Sequence, residues 1–289
     1  IWRREGQGDD REPVRMVTLK GQLATLRSFL KFAADIDAVP PNLFDQVQLP
    51  TMKNGEDVSE TTLDPERAVA ILDYLEKAHP ASREHILLLL LWRTGARSGA
   101  VRGLDLQDVD LEGKHPRVSG PALQFVHRPE TDTPLKNGEN GTRWNRISQK
   151  AAGYIEDYIE YHRHDVTDDA GREPLLTSRH GRPVRSNLRQ HINSVTRPCH
   201  YGDNCPHDRD EETCEAASQY RYAQQCPSSV SPHPIRRSVI TAWLNEGHRK
   251  ELISDRMNVG TDTLEKHYDA RTESEKRELR REAFEMTGD

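Results

Sequence analysis

SPHPIRRSVITAWLNEGHRKELISDRMNVGTDTLEKHYDAR, residues 231–271, is the stretch on which the reading of this chain turns. His233 and Arg236 stand at i and i+3 at the head of an amphipathic run, so they share one face of a helical turn. From Pro232 onward the apolar pattern predicts three short helices, with breaks near Gly247 and Gly260. A tyrosine, Tyr268, follows Thr263, Leu264 and His267 at the end of the last one.

Upstream, residues 86–91 are six consecutive apolar residues, followed by Trp92 and then the tetrapeptide Thr94-Gly95-Ala96-Arg97. A helix that is apolar nearly all round is a buried one, so this run is the expected centre of the core. Arg97 leaves its C-terminal end. Ser82 is the expected N-cap of that helix. Asp64-Pro65-Glu66 supplies an N-cap, a proline at N1 and a first-turn acid for the helix before it. The apolar stripe of that preceding helix is read as Val69, Ile71, Leu72 and Leu75. Residues 17–34 carry a helical pattern that stops ahead of Pro40-Pro41. Residues 51–62 are polar, hold Gly and lack any stripe, which marks a linker.

Between residues 117 and 147 the pattern changes. Phe125-Val126, residues 133–135 and residues 144–147 read as short strands, with turn residues 136–141 (KNGENG) making a hairpin of the last two. Lys136 sits at that turn, with Asn137 and Arg143 as neighbours. Ser148 caps a further helix with Ala152, Ile155, Tyr158 and Ile159 on its stripe, and residues 187–195 form another. The fold class is therefore mainly α with a small antiparallel β-sheet. The domains read as a partial helical unit at 1–50, the linker at 51–62 and a larger unit at 63–289.

Composition narrows the function classes. Hydrophobic residues make up 34% of the chain and mean hydropathy is -0.86, so the core is lean and the surface heavily charged. The longest apolar run is far too short to span a bilayer, and no signal peptide is evident; a cytoplasmic protein is expected. The chain opens on Ile1 rather than Met, as a fragment lacking its true N-terminus would. The net charge is -6. Most nucleic-acid binders are basic, but arginine far outnumbers lysine here and acids are abundant. That is the composition of a halophilic protein, whose acidic excess solvates the surface while a local arginine-rich face still grips phosphates. High salt weakens phosphate contacts steeply, so many would be needed.

Cleaving a phosphodiester by transesterification requires a hydroxyl nucleophile in line with phosphorus, cations on the non-bridging oxygens and an acid for the departing oxygen. Arginine suits the oxygens because its planar fork binds two at once and stays charged. Tyrosine suits the nucleophile because its phosphoester conserves the bond energy. Arg97, Lys136, His233, Arg236 and Tyr268 make such a set. Their segments resemble the boxes of the tyrosine recombinases, the phage-type and Xer-type integrases. TGARSGAVRGLDLQDVD is similar to the first arginine box, LKNGENGTRWNRI to the lysine hairpin, PHPIRRSVITAWL to the His-x-x-Arg box and MNVGTDTLEKHYD to the nucleophile box. The resemblance covers about residues 64–283, and the order of the boxes is more specific than any one of them.

The resemblance implies a tyrosine recombinase catalytic-domain fold behind a DNA-clamping helical domain, and site-specific recombination of double-stranded DNA without a catalytic cofactor. It implies that Tyr268 forms a 3′-phosphotyrosyl link and that Arg97 and Arg236 clamp the phosphate. Lys136 then protonates the 5′ oxygen and His233 assists proton transfer. A dimer on each site, a tetramer in the synapse and a C-terminal helix (about residues 273–285) docked on a neighbour follow from it too. Asp105 and Asp108, after the first arginine, read as structural. One departure is Val259, where the family usually has His or Trp nine residues before the tyrosine; valine offers no hydrogen bond to phosphate. That leaves room for a catalytically impaired relative, or for a zinc-stabilised regulator that only binds DNA.

The other departure is length: residues 198–230 read as an insertion. It holds all four cysteines, Cys199, Cys205, Cys214 and Cys226, with His200 and His207 among them. One cysteine cluster in a chain with no export signal points to metal rather than disulfides. A structural zinc on the four cysteines is expected, with His207 as the alternative ligand to one of them.

Overall fold

The structure is a computed structural model of the chain, and it describes residues 14–52, 61–116, 118–202, 204–267, 271–274, 277, 278 and 281. The chain divides into two compact units, Ile1–Glu60 and Thr61–Asp289. In the first, helix α1 (Met16–Asp35) covers the segment whose periodicity predicts it, and a 3₁₀ turn, Leu43–Gln46, follows. Arg27 reaches Asp45 at 3.0 Å across that connection. No helix among the described residues is long and apolar enough to cross a membrane.

The second unit is built on helix α3 (Arg83–Thr94), in which every residue from His85 to Leu91 is buried. Its start is fixed by Ser82 Oγ, which accepts from the His85 amide at 3.2 Å. Helix α2 (Pro65–Ala78) is capped by Asp64, whose Oδ1 accepts from the amides of Glu66 and Arg67 at 2.9 and 3.2 Å. The buried face of α2 is Ala68, Ile71, Leu72 and Leu75, an i, i+3, i+4, i+7 set. Val69 is off that stripe and half exposed, which corrects the reading of it as a core position. After α3 come α4 (Ser98–Arg102), α5 (Gln149–Asp157), α6 (Arg185–Val195), the single turn α7 (Glu215–Ser218), α8 (Pro232–Asn245), α9 (Lys250–Met257) and α10 (Thr261–His267). Helices α2, α4, α5, α6 and α8 all pack on α3.

The sheet has three short antiparallel strands in the order β1 (Val109–Asp110), β2 (Ala122–Phe125), β3 (Arg143–Arg146). Leu123 faces both Val109 and Asn145. Two expectations change here. Residues 133–135 are not a strand: Pro134 has no amide to donate, and only Thr133 makes a bridge, to Arg128. The strand opposite β3 is instead β2, so the hairpin turn becomes a longer connection running past Lys136 and a 3₁₀ turn, Gly138–Gly141. Strand β1, which carries no alternation long enough to read, was missed from the sequence.

Candidate active site

Three ends of chain meet at one pocket: the turn after α3, the connection between β2 and β3, and the end of α9. The turn after α3 is made by Gly95 at φ 59°, a conformation glycine adopts without penalty. A Cβ there would also lie 1.9 Å from Met257 Cε, so Gly95 is required twice over, for its dihedral and for its size. Arg97 follows at once as the N-cap of α4. The end of α9 is made by Asn258 at φ 51°, a left-handed position that asparagine tolerates better than most residues.

Arg236 and Arg97 bind consecutive carbonyls of that end. Arg236, at the start of the second turn of α8 and 2% exposed, donates from Nη1 to Gly95 O at 2.7 Å and Met257 O at 3.0 Å. Arg97 donates from Nη1 to Asn258 O at 3.1 Å. Asn258 also holds the β2–β3 connection: its Nδ2 donates to Asn140 O at 2.9 Å, and Asn137 Nδ2 donates to its Oδ1. One residue thus ties the segment carrying Lys136 to the arginine that follows α3.

The pocket so formed has a volume of about 370 Å³ and is lined by Arg97, Lys136, Arg143 and Arg185 with no aspartate or glutamate among its lining residues. Arg143, on β3, was noted in the sequence only as a neighbour of Lys136. Its guanidinium stacks over the Phe125 ring at 4.6 Å and donates to Arg256 O at 2.8 Å and Gly141 O at 2.9 Å. Burial, and the charges of Arg236 and Arg97 beside it, bring its pKa down to about 10, with Asp255 opposing. Arg185 and Asn258 were not found from the sequence. A surface arginine at a helix start gives no signal, and Asn258 shows its use only through its left-handed backbone.

His233 lies on the first turn of α8, three residues before Arg236. Its ring reaches the surface, but the protein packed against it lowers its pKa below the ordinary histidine value, helped by Arg236, Arg97, Lys136 and Arg237. His233 thus feels the charges of Arg236, Arg97 and Lys136, and Arg143 those of Arg236 and Arg97. Val259 is buried at 4% exposure and presents nothing to the pocket; Asn258 beside it does. Tyr268 lies outside the described residues, as does most of the segment at 273–284; helix α10 is described as far as His267.

A pocket whose charged lining residues are three arginines and a lysine, with no acid among them, suits a phosphodiester. A profile of the phage integrase family matches residues 61–273. The chain belongs to the phage integrase family. As a tyrosine recombinase it is an enzyme of site-specific DNA recombination, whose family chemistry passes through a 3′-phosphotyrosyl intermediate and needs no catalytic cofactor. Solved structures agree on the fold. XerA recombinase is similar at 16% identity and TM-score 0.53, over 92% of this chain and 76% of that one. The Tn1549 transposon integrase bound to transposon right-end DNA is similar at 16% identity and TM-score 0.57, over 92% and 79%. The lambda integrase dimer on a COC′ core site is similar at 13% identity and TM-score 0.52, over 88% and 59%. No curated protein matches the sequence.

Away from this site, Cys199, Cys205, Cys214 and Cys226 are all free thiols and line one small cavity together with His207. Backbone amides of Ala217 and Ala216 hold the Cys214 thiol below its usual pKa, and burial pushes Cys199 up. No group of three or more His, Cys, Asp or Glu among the described residues is drawn together closely enough to hold a metal as it stands.

Proposed function

We propose that the cationic pocket takes the scissile phosphate of double-stranded DNA and that six side chains act on it. Tyr268 attacks phosphorus; the P–O bond to its phenolic oxygen forms as the bond to the 5′ oxygen breaks, leaving a 3′-phosphotyrosyl link and a 5′ hydroxyl. Arg97 and Arg236 hold the non-bridging oxygens, where charge builds in the transition state. Lys136 gives its proton to the departing 5′ oxygen. His233, neutral at pH 7 with its lowered pKa, assists the transfer of the tyrosine proton. Arg143 adds charge behind the two clamping arginines. The observation that carries the reading is a pocket lined by four cations and no acid, with the buried Arg236 beside it on the Met257 carbonyl, next to the Asn258 carbonyl that Arg97 binds.

The protein acts in this reading as a dimer on each site and a tetramer in the synapse, in the cytoplasm of a high-salt cell. The N-terminal unit clamps the duplex. Zinc in the cysteine-rich segment is structural and has no part in the chemistry.

Covalent trapping tests the proposal. The protein is incubated with a nicked duplex carrying its site, at low and high salt, and resolved on a denaturing gel. A protein–DNA band that vanishes in Tyr268→Phe supports it. A native protein that binds the duplex without forming the band would instead make this an impaired member of its family, with Val259 as the first position to restore to histidine. Lys136→Ala has its own signature: a substrate with sulfur as the bridging 5′ atom, a better leaving group, restores its cleavage, whereas Arg97→Ala stays impaired.

A further inference from the structure

The four cysteines enter the fold from separate places: Cys199 follows α6, Cys205 and Cys214 flank an acidic loop, and Cys226 opens the turn that leads to α8. All four nevertheless line one cavity of about 20 Å³. A volume near that of a single water leaves room for an ion and none for an organic ligand. The segment around them, residues 199–226, has few buried apolar side chains, Ala216 and Ala223 among the described ones. A loop with so little core needs another source of fold energy.

We propose that Cys199, Cys205, Cys214 and Cys226 bind one structural zinc ion as four thiolates. A tetrathiolate zinc carries a net charge of about minus two. Two arginines line the same cavity to offset it, Arg197 and Arg209, with Glu211 opposing. Arg197 is 7% exposed and is fixed on both sides: it donates to Ser194 O at 3.1 Å at the end of α6 and to Ala217 O at 2.7 Å on α7. The Ala217 amide donates to the Cys214 carbonyl at 2.9 Å, which fixes the backbone of Cys214 at the start of α7. His207 lines the cavity too, with its Nε2 against Ser228 Oγ at 2.9 Å, and the four thiolates complete a tetrahedral set without it. Binding draws the sulfurs inward from the cavity wall to about 2.3 Å from the metal.

The ion closes a loop that leads directly into the catalytic helix. Two residues beyond Cys226, Ser228 O accepts from Arg67 Nη2 at 2.7 Å. Arg67 also donates to Thr196 O and, at 2.9 Å, to Tyr201 Oη. Val230 N donates to Thr196 Oγ1 at 3.0 Å, and α8 with His233 and Arg236 begins two residues later. Zinc therefore sets the entry of α8 through α2 and α6, at a distance from the DNA phosphate.

Elemental analysis of the desalted full chain, expressed with zinc in the medium, tests this without DNA, so it stands or falls apart from the recombinase reading. About one zinc per chain is expected. Cys199→Ser and Cys214→Ser lose it, and His207→Ala keeps it. Titration of the native protein with a mercurial thiol reagent, in the presence of a chromophoric zinc chelator, reads the same stoichiometry without any variant that could misfold: zinc appears in proportion as the thiols are consumed. Substoichiometric zinc, iron in its place, a mass lower by the hydrogens of a disulfide, or zinc lost from His207→Ala with the cysteine variants still loaded would each overturn the assignment.

Discussion

The catalytic unit holds two clusters of buried or half-buried arginines, and they are built in opposite ways. In one, Arg128, Arg172 and Arg182 converge on Asp105, Asp108 and Asp168. Arg128 meets Asp105 at 3.4 Å and Asp108 at 2.6 Å, Arg172 meets Asp105 and Asp168 at 3.2 Å each, and Arg182 meets Asp168 at 2.8 Å as well as Asp105. Charge is matched one for one, and Asp105 and Asp108 are 1% and 2% exposed. In the other, Arg97 and Arg143 are held by backbone carbonyls, and none of Arg97, Lys136, Arg143 and Arg185 forms an ion pair among the described residues. A carbonyl fixes a guanidinium's position while leaving its charge for a ligand; a carboxylate fixes the position and cancels the charge. The first cluster joins the β-sheet region to the segment at 168–182. The second keeps its positive charge uncancelled, as the proposed phosphate site requires.

Exchanging the two designs should produce opposite failures. Asp105→Ala leaves three arginines facing a missing carboxylate, and breaking a buried pair in this way costs about 3–5 kcal/mol. Urea unfolding should show that loss, with the folded fraction still binding DNA. Arg97→Ala should do the reverse. Cleavage in the trapping assay falls by about 10²–10³-fold, the range for loss of one preorganised donor, while the unfolding midpoint hardly moves. If Arg97→Ala destabilised the fold as much as Asp105→Ala, the distinction between the clusters would fail. Arg185→Ala, at the exposed rim, should weaken binding to any duplex modestly and flatten the slope of log affinity against log salt by about 0.9. The smallest effect is that of pH on His233. Free histidine titrates near about 6.5, and the folded group lies lower. Below that ordinary value the unfolded chain binds more protons than the native one, so stability falls as pH drops through this window and is fully present above it. His233→Gln should reduce that slope in urea midpoints measured from pH 7 to pH 5.

Features set by local chemistry were legible in the sequence. The caps Asp64 and Ser82 hold the amides expected of them, and the run through Leu91 is buried all round. The three helices after Pro232 break near Gly247 and Gly260 as read. What failed was pairing at a distance. Residues 133–135 looked like the partner of β3 because they lie nearer in sequence, yet β2 takes that place, since Pro134 cannot donate and a four-residue strand gives too little alternation to rank the candidates. Val69 reads as a core position because valine is apolar, although Ala68 continues the stripe and Val69 does not. Within the site, Arg97, Lys136, His233 and Arg236 were recognisable by motif and come together. Arg143 and Asn258 act through where the fold carries them, and no local pattern announces that.

Gly95 has a consequence for anyone reading variants of this protein. The space where its side chain would begin is filled by Met257, and Met257 and Gly95 are the residues whose carbonyls seat Arg236. A substitution there would expel a methionine that no nucleic acid touches and, through it, tilt an arginine by a fraction of an ångström. In a genetic screen such an allele would look like the loss of a DNA contact. Its cause would be buried and one helix away, part clash and part backbone strain; a smaller residue at 257 would relieve the clash alone, and no new charge in the pocket would relieve either.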